Sequence, residues 1–102
     1  MYTMAPRLAL QALLEALAPN VYFQPPSNVQ MKYPCIVYGR DFADTRFADN
    51  APYNNTTRYQ VTVIDRDPDS DIPIKVQALP LCSYDRGFVA DGLNHDVFRL
   101  YF

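Results

Sequence analysis

The chain has 102 residues, a mass of 11.7 kDa, a formal charge of −2 at neutral pH and a pI near 5.1. That is enough chain for one domain, whose single core would bury about 65% of the unfolded surface. With 49% hydrophobic and 20% charged residues the composition excludes a disordered chain. The acidic balance argues against a broad basic footprint on nucleic acid and against a polybasic membrane patch.

The first segment reads as an amphipathic helix. Leu10, Leu13, Leu14 and Leu17 recur at i, i+3, i+4 and i+7. Thr3 or Met4 would begin it, Pro6 is tolerated in its first turn, and Pro19-Asn20 would stop it. Val21 to Gln24 is a short strand candidate closed by Pro25-Pro26, and a loop follows over 27–33. Pro34 can open the next strand, Cys35 to Arg40. Residues 41–56 form a long polar stretch without core periodicity, of the kind that is usually functional.

Thr57 to Asp65 is the clearest strand. Tyr59, Val61 and Val63 alternate with Arg58, Gln60 and Thr62, which predicts one core face and one that is wet or meets a partner. The turn Arg66 to Asp71 leads into a second helix marked by Ile72, Val76 and Leu79. Ser70 or Asp71 can cap it, and Pro80 ends it. Leu81 to Phe88 reads as a strand with Cys82, Tyr84, Arg86 and Phe88 on one face. Asp91-Gly92 is a turn, and Val97 to Phe102 is a last strand with Phe98, Leu100 and Phe102 on its apolar side. The fold class is α+β, with a mainly antiparallel sheet joined mostly by hairpins and two helices packed on it.

Little in the sequence suggests bond-making chemistry. Cys35 and Cys82 are far apart in apolar segments and read as two buried thiols of a reducing compartment. Met1 to Ala18 lacks the basic start of a signal peptide, and no run nears the ~20 apolar residues of a membrane span. The chain is therefore expected in the cytoplasm where it is made. Asp65, Asp67, Asp69 and Asp71 alternate like the start of a calcium loop, but Ser70 stands where glycine is needed and Val76 where the closing glutamate belongs. No metal or cofactor is expected. His95, beside Asp96, is the one histidine and reads as a hydrogen-bonded residue in a turn. A small hydrolase built on His95 is a remote alternative, and the chain is expected not to be an enzyme.

Aromatic residues are left over. Eight tyrosines and six phenylalanines exceed what a small core takes up beside its aliphatic residues. Phe42, Phe47 and Tyr53 sit in the polar stretch, interleaved with Arg40, Asp41, Asp44, Arg46 and Asp49. Aromatics among charges of both signs suit an arm that docks a neighbouring subunit.

Tyr33-Pro34-Cys35-Ile36-Val37-Tyr38, Arg58-Tyr59-Gln60-Val61-Thr62-Val63-Ile64-Asp65-Arg66-Asp67-Pro68-Asp69-Ser70 and Asn94-His95-Asp96-Val97-Phe98 carry a resemblance. Together with the leading helix they resemble the tail terminator, or head–tail joining, proteins of long-tailed bacteriophages. The resemblance implies a virion protein of the tail–neck junction, assembled in the host cytoplasm. It implies a hexameric ring of identical copies that caps the tail tube protein, ends tube growth and docks the head-closure or connector protein. Genome DNA would pass through without specific binding. By position, Arg58, Gln60, Thr62, Arg66, Asp67 and Asp69 become candidates to face the ring or its lumen, and 41–56 becomes the arm. A head-closure or connector adaptor of the same neck is the alternative.

Overall fold

A computed structural model of the chain describes residues 6–41 and 58–102. The elements run α1 (Pro6–Glu15), β1 (Val21–Phe23), β2 (Cys35–Arg40), β3 (Arg58–Asp65), α2 (Ile72–Gln77), β4 (Cys82–Ala90) and β5 (Leu93–Tyr101). This is an α+β fold with one five-stranded sheet in the order β1-β2-β3-β5-β4.

The sheet is mixed, which corrects the mainly antiparallel expectation. β1 runs parallel to β2 in the register Val21–Ile36 to Phe23–Tyr38, whereas the other three pairings are antiparallel. The connection 24–34 is long enough to return the chain to the same end of the sheet, as a parallel neighbour requires and a tight turn forbids. It is held at both ends. Asn20 accepts the Ile36 N–H through its carbonyl and donates its side-chain amide to Pro34 O, while Gln24 donates its N–H to Tyr38 O. Of the four connections between consecutive strands among the described residues, two join antiparallel neighbours, β2 to β3 and β4 to β5, so hairpin-type pairing accounts for half of them.

The core follows from strand alternation and helical spacing. Ile36 and Tyr38 of β2, Tyr59, Val61 and Val63 of β3, and Phe98 and Leu100 of β5 share one buried cluster with Leu10, Leu14 and Ala18 near the chain start and Ile72 and Val76 of α2. Leu13, Leu17 and Leu79 complete the two apolar stripes as half-buried neighbours of that cluster. Each large aliphatic side chain taken fully out of water contributes about 1.5–3 kcal/mol. The opposite sheet face is less wet than the alternation predicts, because Cys35, Ile64, Val97 and Arg58 are buried there as well.

β4 departs from the sequence pattern in a second way. Its register with β5 shifts between Tyr84 and Arg86, so Asp85 is the extra residue of a β-bulge. The bulge reverses the alternation. Cys82 and Tyr84 pair with the core-face residues Leu100 and Phe98, whereas Arg86 and Phe88 pair with Val97 and His95 on the other side. The expectation of one face carrying Cys82, Tyr84, Arg86 and Phe88 therefore fails, since an inserted residue turns every later side chain over.

Candidate functional site

The acidic turn after β3 is a local folding device. Asp65 accepts the Asp67 N–H at 3.0 Å, and Asp67 accepts the Asp69 N–H at 2.9 Å. These are successive Asx turns, each carboxylate oxygen replacing a missing backbone partner two residues on. Ser70 then accepts the Ile72 N–H through its hydroxyl at 3.3 Å, whereas Asp71 makes no side-chain cap. Asp67 and Asp69 are exposed on this turn, and Arg66 reaches the Tyr33 ring at 5.8 Å. Among the described residues no group of three or more His, Cys, Asp or Glu is arranged to hold a metal ion.

Four residues singled out in the sequence meet elsewhere. Arg40, Asp41, Gln60 and Thr62 line a cavity of about 270 Å³ together with Gln24, Val37, Tyr38 and Gly39. Gly39 leaves room for Gln24, whose Cγ would lie 3.0 Å from a Cβ there and whose Oε1 accepts the Arg40 N–H. Arg58 lies at the sheet rim, only 8% exposed, with its Nε 3.2 Å from Asp41 Oδ2, and Asp41 donates its N–H to Arg58 O. Gln60 is exposed and Thr62 half-buried. Phe42, Asp44, Arg46, Phe47, Asp49 and Tyr53 lie outside the described residues.

His95 is fixed by two contacts, one within β5 and one across to β4. Its Nδ1 lies 3.1 Å from Leu93 O, and Phe88 stacks on it at 4.6 Å and 10°. Cys35 and His95 both align with Ile64, from opposite sides of β3. With strands ≈4.7–4.9 Å apart, a whole strand separates thiol from imidazole, beyond the reach of proton transfer. Burial, and then the charge of Asp65, raises the Cys35 thiol to about 11, so it stays protonated near neutral pH.

Two apolar surfaces were not legible in the sequence. The first is a groove of about 540 Å³ at one end of the sheet, lined by Leu13, Leu79, Pro80, Leu81, Leu100, Tyr101 and Phe102. Leu81 is 68% exposed on its rim and holds φ 58°, a left-handed backbone that a leucine adopts only at a cost. The second is the outer edge of β4, where Tyr84, Phe88 and Val89 are exposed. The sequence signal for both was faint: a leucine straight after Pro80, and more apolar residues in β4 than one strand face can bury. No helix among the described residues is long and apolar enough to cross a membrane. No family model, curated protein or solved structure matches this chain.

Proposed function

We propose that the chain is a structural virion subunit. In this reading six copies close into a ring on the tail tube of a long-tailed phage, end tube growth and join the tail to the head connector. The sequence resemblance supplies the specific assignment. The observation that carries assembly as the mode of action is Leu81: a large apolar side chain, mostly exposed, on a strained backbone, at the mouth of an apolar groove. Strain of this kind costs about 1–3 kcal/mol and concentrates at functional positions, and exposed apolar surface around a groove marks contact with another protein.

In the ring, α1 and α2 cover one face of the sheet, and the polar groups Gln60 and Thr62 lie on the face turned to the channel. Six chains of charge −2 carry −12, which lets a polyanion pass without being held. The Leu81 groove receives the neighbouring copy or the tube.

The test is Leu81→Asn. Asparagine suits the left-handed backbone and removes the apolar contact. The expected result is an unchanged or higher melting temperature together with loss of capping when the protein is mixed with uncapped tails and imaged by electron microscopy. Normal capping by the variant would remove the groove from the assembly. A wild-type chain that stays monomeric and leaves tails uncapped would overturn the ring.

A further inference from the structure

β4 is the outermost strand of the sheet, nine residues long, and its two halves differ. The bulge at Asp85 and the charge of Arg86 shield the first half, as edges are commonly shielded. Gly87 to Ala90 carries no charge, and Phe88 and Val89 are 44% and 69% exposed. Asp91 and Gly92 at φ 53° and 74° form a two-residue hairpin turn of the primed type. Such a turn makes Ala90 and Leu93 a hydrogen-bonded pair. The antiparallel alternation then aims the N–H and C=O of Gly87 and Val89 away from β5, toward the open edge.

We infer that this edge pairs antiparallel with the same segment of a second copy, about a two-fold axis at Phe88. In that register Gly87 of each copy lies opposite Val89 of the other, and each such pair exchanges both its N–H···O bonds. The two Phe88 side chains meet as a close cross-strand aromatic pair, each backed by its own stacked His95. Val89 fits beside the side-chain-free Gly87, against the Tyr84 ring, whose hydroxyl occupies the space a Gly87 Cβ would need and which packs edge-on to Phe98 at 5.3 Å. Arg86 falls opposite Ala90 of the other copy and Asp85 opposite its Asp91; Arg86 and Arg99 both reach Asp85, at 2.6 and 3.7 Å, so the group facing Asp91 at each end of the contact is positive overall. A two-fold contact uses one patch twice, unlike the head-to-tail contact of a ring, so this inference goes beyond the ring reading.

Sedimentation equilibrium on the full chain over a range of concentrations tests it. The expected mass rises with concentration to twice the 11.7 kDa of one chain. Val89→Pro removes an edge donor that takes no part in the β4–β5 ladder. It is expected to hold the chain at the single-chain mass with an unchanged circular dichroism spectrum. If that variant fails to fold, Phe88→Cys decides: under mild oxidation it is expected to form a covalent dimer that the wild type, with Cys35 and Cys82 only, does not. A wild type at single-chain mass throughout, a folded Val89→Pro that still pairs, or a Phe88→Cys chain that cross-links no more than wild type would each overturn the inference. Loss of tail capping by Leu81→Asn with pairing intact would leave it standing, because that variant touches the other surface.

Discussion

Tyr38 shows how one side chain ties sequence-distant parts together. Its ring is 1% exposed and lies 4.9 Å from Phe23 and 6.0 Å from Tyr59. Its hydroxyl donates to Gln11 Oε1 and accepts from Arg7 Nη1 at 3.4 Å, while the Arg7 guanidinium rests 4.6 Å over the Phe23 ring. Burial raises the Tyr38 pKa above its ordinary value, outweighing the opposite pull of Arg7, so the phenol remains a donor. Tyr38→Phe keeps the ring contacts and strands two polar groups of α1. A loss of about 1 kcal/mol is expected in urea unfolding. Cys35 gives a prediction in pH. Its folded pKa of about 11 lies above its ordinary 9.0, so the folded state keeps a proton that the unfolded state releases. Its contribution is therefore fully present below pH 9 and is lost as pH rises toward 11. The urea midpoint of wild type is expected to fall over that window more than that of Cys35→Ala.

At the scale of elements, the turns decide what alternation alone cannot. Gly92 at φ 74° has open space where a Cβ would go, so its requirement is conformational and not steric crowding. Gly92→Ala is expected to cost about 1 kcal/mol in thermal unfolding, because alanine pays for the left-handed backbone. The Asx turns and the Ser70 turn onto the Ile72 N–H explain the aspartate-rich string as the means by which β3 stops and α2 starts. The bulge at Asp85 shows the limit of pattern reading. One inserted residue, invisible in the alternation of β4, moves Arg86 and Phe88 to the face opposite Tyr84.

For the whole molecule, stability rests on one cluster drawn from both helical stripes and the central strands. Leu14, at 0% exposure, is one of its fully buried members. Leu14→Ala is expected to cost about 2–5 kcal/mol by denaturant unfolding, through lost transfer energy and the cavity left behind. On a domain of marginal stability that is a large share of the total.

The α+β class, the two helical stripes and the buried alternation of Tyr59, Val61 and Val63 were present in the sequence by itself, because periodicity fixes which side of an element is apolar. The polar wall made by Gln60 and Thr62 followed from the same alternation. Tertiary structure decided what lies across from what. It placed β1 parallel to β2, slid β5 between β3 and β4, buried Arg58 against Asp41, and brought Leu13, Leu81 and Tyr101 to one groove. The physical reason is that spacing along a chain records local geometry, whereas strand order, bulges and grooves arise from contacts between segments far apart in sequence, whose energies no single segment carries.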